Sequence, residues 1–146
     1  MVLIGSSGCA GTAAPGLPEA VARVKTALRS KAEREAQSFV TIGVALDWSI
    51  PKGMAMLERF GPFDEVMVGR SWLNSGVVKY IWKDVPGFAA TPQIVVLERE
   101  IANDGGFVVG PEQVRTRRIG ADAIIAWSRT LPAASAPGVD EAAAAS

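Results

Sequence analysis

The chain has 146 residues, 49% hydrophobic and 21% charged, with 15 acidic and 15 basic side chains, one cysteine and no histidine. That length and apolar content suit one well-filled core, and a net charge of zero gives no broad pull toward nucleic acid or an anionic membrane, so neither is expected as a partner. The missing histidine excludes Ser/His/Asp and Cys/His catalysis and histidine-ligated zinc. A single cysteine excludes an intrachain disulfide and a four-cysteine metal site, so neither metal nor cofactor is expected. No apolar run reaches the roughly 18 residues of a membrane span, which makes the chain as written cytoplasmic by expectation.

Val2-Leu3-Ile4, ended by Gly5, predicts a short buried strand. After a loop of small residues from Gly5 to Ala14, Pro15 and Pro18 suit a helix start, and Leu17, Val21, Val24 and Leu28 recur at helical spacing. The opposite face, with Arg23, Lys25, Arg29 and Lys31, reads as solvated. Ser38 to Asp47 is apolar on both alternating faces near its middle, as a buried parallel strand beside the first should be. Ser49 and Pro51 then open a helix that buries Met54, Leu57 and Phe60 and stops at Gly61-Pro62. Phe63 to Val68 is a brief extended segment, and Trp72 to Trp82 has helical spacing that makes both tryptophans core residues, as it does Trp127.

Thr91-Pro92 leads directly into Gln93 to Glu98, the clearest central strand. Turns at Asn103-Asp104-Gly105-Gly106 and Gly110-Pro111 precede a strand from Val114 to Ile119, where Arg115, Arg117 and Arg118 read as edge decoration. Gly120 and Asp122 begin a last helix with Ile124, Ile125, Trp127 and Leu131 buried, and Pro132 stops it. Residues 133–146 hold one large apolar side chain and are expected to form a disordered Ala-rich tail behind a domain spanning residues 1–132.

The inferred order is β-α-β-α-β-β-α, an α/β fold with a central mixed four-stranded sheet flanked by helices. Three features sharpen it: Cys9 in a small-residue loop after the first strand, Pro15 early in the helix after that loop, and Thr91-Pro92 before a central strand. On these the chain, from Val2 to about Leu131, resembles the thioredoxin-like superfamily, especially its bacterial thiol-disulfide oxidoreductase branch. The resemblance implies a cis peptide at Thr91-Pro92, facing the Cys9 loop and helping to hold an extended substrate backbone. The sequence departs from that family at Cys9-Ala10-Gly11-Thr12, where threonine stands in place of the resolving cysteine, so an intramolecular dithiol cycle is excluded.

Cys9, placed on a loop at a helix N-terminus, is expected to favour its thiolate through the partial positive charge of the exposed backbone N–H groups there, and Thr12 can donate to that thiolate or cap the helix start. The plainer reading makes Cys9 a small packing residue. Trp48 follows Asp47 at a strand end on the same sheet edge, where ligand sites of open α/β sheets collect. Asp47 itself either starts a turn or accepts a proton near Cys9. The candidate site is therefore Cys9 and Thr12 as reacting groups, with Thr91, Pro92 and Trp48 holding substrate. The expected partner is a protein or small-molecule thiol or disulfide, with an external thiol resolving the Cys9 adduct.

One alternative is a non-catalytic thioredoxin-fold peptide-binding module. Another is a thiol peroxidase: Cys-x-x-Thr is similar to the peroxidatic loop of glutathione-peroxidase-like proteins, although Leu73 separates Trp72 from Asn74 where that pattern has a Trp-Asn pair. A peroxiredoxin would need an arginine at the thiolate, for which Arg70 and Arg118 are nominees. Ser6-Ser7-Gly8-Cys9 after Val2-Leu3-Ile4 is also similar to a bacterial lipoprotein cleavage site. Three apolar residues are short for a signal core, and only an upstream start codon would bring a periplasmic or lipid-anchored form into play.

Overall fold

The computed structural model describes residues 1–103 and 105–133; the expected tail, apart from Ala133, lies outside the described residues. The strand expected at the start of the chain is β1, Val2–Gly5. It is followed by helix α1 at Leu17–Arg34, strand β2 at Ile42–Ala45, helix α2 at Ile50–Glu58 and strand β3 at Glu65–Val68. A 3₁₀ turn at Ser71–Leu73 leads into α3, Ser75–Val77, which continues as a π-helical stretch over Val78–Lys83. Strand β4 is Gln93–Glu98. Then come β5 at Ile101–Asn103, β6 at Phe107–Val109, β7 at Gln113–Ile119 and the helix α4 at Ala121–Thr130.

The architecture is α/β with one mixed sheet of five strands in the order β3-β2-β1-β4-β7. Strands β1, β2 and β3 are parallel, while β4 runs antiparallel to β1 and β7 antiparallel to β4. The sheet has one strand more than the four expected, because the Phe63–Val68 segment joins it at an edge. Asp64 fixes that register by accepting from the backbone N–H and hydroxyl of Thr41, at 2.7 and 2.8 Å. Strands β5 and β6 pair antiparallel in a separate two-stranded sheet; Asp104, in the turn expected between them, lies outside the described residues.

Alternation along β1 divides the core. Leu3 faces α1, α2 and α4 through Leu17, Val21, Val24, Leu57, Phe60 and Ile124, while Val2 and Ile4 face Val77, Tyr80 and Ile81 on the other side. Helix α2 begins as expected, with the Ser49 side chain accepting from Lys52 N–H at 3.4 Å, but Met56 rather than Met54 is fully buried. Gly53 lets α2 lie close on the sheet: a Cβ there would stand 2.5 Å from Val68 Cγ1.

Three side-chain expectations are corrected. Trp72 and Trp82 are 39% and 51% exposed and lean on each other at 6.0 Å between ring centroids, so of the three tryptophans only Trp127 packs against the core. Arg117 is no edge decoration. It donates to Gln93 Oε1 at 2.9 Å, to Tyr80 O at 3.2 Å and to Val85 O at 2.7 Å, tying the π-helical stretch to the sheet. Lys25 leaves the solvated face of α1 to donate to Phe60 O at 2.9 Å and Pro62 O at 2.7 Å, with Nζ 3.6 Å from the Phe63 ring centroid.

Candidate active site

Parallel strands β1, β2 and β3 end at one edge of the sheet, where loops collect side chains above the strand ends. The loop after β1 carries Cys9. It is folded by backbone bonds from Cys9 N–H to Ser6 O, Ala13 N–H to Cys9 O and Ala14 N–H to Gly11 O, each 3.2 Å. Exposed Pro15 and Gly16, the latter at φ 78°, interrupt that turn before α1 begins at Leu17. Cys9 is thus not at the α1 N-terminus as expected, because a separate turn intervenes. Gly11 and Thr12 of that turn, rather than the α1 terminus, are the loop groups that pull its thiol down.

Thr12 is buried under this loop. Its Oγ1 accepts from Ser6 N–H at 3.3 Å, and its methyl carbon lies 3.1 Å from where a Gly5 Cβ would stand. It caps no helix, since Gly16 occupies the cap of α1. Asp47, at the end of β2, neither opens a free turn nor points at Cys9: its buried carboxylate accepts from Ser7 N–H at 3.1 Å and from the Ser7 hydroxyl. The loops after β1 and β2 are locked together by that pair. Trp48 follows on the same edge with 74% of its surface exposed.

On the other side of the loop, the Thr91-Pro92 peptide is cis and enters β4. The Cys9 thiol donates to Thr91 O at 3.2 Å. Pro92 is buried and packs so closely under Gly11 that a Cβ on Gly11 would stand 2.9 Å from its Cδ. The structure therefore brings Cys9, Thr12, Thr91 and Pro92 together, with Trp48 further along the same edge.

Partial burial pushes the Cys9 thiol up, but hydrogen bonds with Thr91, with the backbone and hydroxyl of Thr12 and with the Gly11 backbone pull it below its ordinary value. The S–H···O bond to the Thr91 carbonyl exists only in the thiol form, so the downward direction rests on the hydrogen bonds of the Thr91 side chain and of Thr12 and Gly11. Those main influences are hydrogen bonds rather than a cation. Arg118 stands over the Trp127 ring at 5.5 Å, and Arg70 lines a separate cleft.

Among the described residues no group of three or more acidic, cysteine or histidine side chains is placed to hold a metal, and no helix is long and apolar enough to cross a membrane. Cleavage ahead of Cys9 would remove β1, the central strand paired on both sides, so a lipoprotein-like cut there is incompatible with this sheet. Sequence reasoning misses the Ser7–Asp47 lock, for which the only signal is an aspartate at the end of a buried strand. Comparison of the chain with protein-family models, curated proteins and solved structures gave no match.

Proposed function

We propose that the chain is a thioredoxin-like protein that carries out thiol-disulfide exchange through Cys9 alone. The observation that carries this reading is the partly exposed Cys9 sulfur, 3.2 Å from the Thr91 carbonyl and with its thiol below the ordinary value. The strand order β2-β1-β4-β7, with the thiol loop after β1 and a proline entering β4, supports the family reading. The Cys9 thiolate attacks one sulfur of a disulfide R–S–S–R′; the S–S bond breaks, Cys9–S–S–R forms and R′–S⁻ leaves, taking a proton from water. Because Thr12 offers no second sulfur, an external thiolate then attacks the adduct, forms a new disulfide with R and restores the Cys9 thiolate. Asp47 and Ser7 act through the loop by holding it in place, and Thr91 offers its backbone beside the sulfur.

The test is incubation with oxidised glutathione followed by intact-mass measurement and then reduced glutathione. One glutathione should add at Cys9, be released by the free thiol and be absent in Cys9→Ser. If no adduct forms, the exchange reading fails, and the same surface is better read as a peptide-binding module with Cys9 as a packing residue.

A further inference from the structure

The 3₁₀ turn and the helical stretch after β3 invert the usual distribution of residues between core and water. Ser71 and Asn74 are buried, while Trp72, Leu73, Val78 and Trp82 are exposed. Water alone selects the opposite arrangement. The inversion is held by an unusual backbone: Gly69, Arg70 and Ser71 have φ of 96°, 62° and 48°, a left-handed run that disfavours the two non-glycines. Buried Asn74 secures it, donating to Gly69 O at 2.9 Å and accepting from Gly76 N–H at 2.8 Å.

The exposed apolar side chains are contiguous with positive charge. Leu73 and Val78 line an open cleft of about 430 Å³ together with Ser75, the cations Arg70, Lys79 and Lys83, and one acid, Asp84, and Trp82 Nε1–H donates to Trp72 O at 3.4 Å. Lys79 is engaged by Asp84 and Glu112 at 3.2 and 3.0 Å; Arg70 and Lys83 have no ion-pair partner among the described residues. The surface is thus two tryptophans and two aliphatic side chains beside two free cations, on a chain whose net charge is zero.

We infer that this Trp72–Trp82 face is a peripheral docking surface for an anionic lipid bilayer. Indole joins a large apolar ring to a polar N–H and settles at the headgroup level. Arg70 and Lys83 can lay their stems along the apolar patch while their charges meet lipid phosphates. This surface operates independently of the proposed Cys9 chemistry.

The full chain is mixed with phosphatidylcholine vesicles and with vesicles containing phosphatidylglycerol, then sedimented. It should co-sediment with the anionic vesicles, less so at high salt. Arg70→Glu/Lys83→Glu and Trp72→Ala/Trp82→Ala should each lower partitioning at least ~10-fold, with unchanged circular dichroism showing that the variants are folded. Glycerol phosphate should not displace the protein; displacement at low concentration would indicate a site for a soluble phosphate and overturn the proposal. No sedimentation, equal sedimentation with neutral vesicles, or anionic binding indifferent to both folded double variants would also overturn it.

Discussion

The sulfur of Cys9 and the carbonyl oxygen of Thr91 are 3.2 Å apart across 82 positions of sequence, and Gly11 is the hinge of that approach. A Cβ on Gly11 would lie 2.9 Å from Pro92 Cδ and 3.6 Å from both Cys9 Sγ and Thr91 O. A proline ring cannot swing aside, so Gly11→Ala should lever the loop away from β4. We expect slower alkylation of Cys9 at neutral pH and a stability loss of about 1–3 kcal/mol by denaturant unfolding. Unchanged alkylation would mean that the contact does not set the thiol.

Thr12 separates packing from hydrogen bonding. Thr12→Val keeps the buried shape but strips the acceptor from Ser6 N–H and a donor from Cys9; it should raise the Cys9 pKa and cost about 1 kcal/mol. Thr12→Ser retains the hydroxyl and gives up the methyl against Gly5, so it should lose a similar amount of stability while leaving the thiol lowered. Parallel pH titrations of the two variants test this, and equal thiol shifts in both would refute it.

Arg117 carries three hydrogen bonds to groups from two elements and a loop, and its removal takes the donor from Oε1 of fully buried Gln93, whose amide nitrogen stays bonded to Phe88 O and Ala90 O. Arg117→Ala should destabilise the fold by about 2 kcal/mol or more. Arg117→Lys should rescue little of this, since an ammonium cannot span the same three acceptors. Denaturant midpoints of the two variants provide the measurement.

Lys25 gives the fold a pH dependence of defined sign. Burial pulls its ammonium down to about 8, reinforced by Arg29 and opposed by Asp64. An unfolded lysine titrates near ~10.4. Between those values the unfolded chain binds a proton that the folded chain has released, so stability should rise with pH from about 8 to about 10. Below that window the cost of burying the charge is fully present. The rise should be smaller in Lys25→Met, and a wild-type curve parallel to the variant's would show that Lys25 does not contribute.

The central strands are legible in the sequence because a strand covered on both faces has to be apolar on both: Val2–Gly5 and Gln93–Glu98 stand where their runs predict. The Cys9–Thr91 meeting is legible only through the resemblance, since no local pattern relates residues so far apart. Periodicity fails at Trp72 and Trp82 for a specific reason. A 3₁₀ turn and a π-helical stretch do not keep the 100° step per residue that the spacing argument assumes, so the apolar positions rotate outward. Lys25 and Arg117 escape sequence reasoning because a long cationic side chain in an amphipathic pattern looks solvated until the carbonyls that receive it are located in space.

The pH titration of the Cys9 thiolate, followed by ultraviolet absorbance with Cys9→Ser as the blank, is the sharpest test of the proposed exchange chemistry. The structure predicts a pKa below that of a free cysteine, together with alkylation at neutral pH faster than that of an unstructured cysteine peptide. A pKa at or above the free value with slow alkylation would contradict it, leaving Cys9 a packing residue beside Thr91.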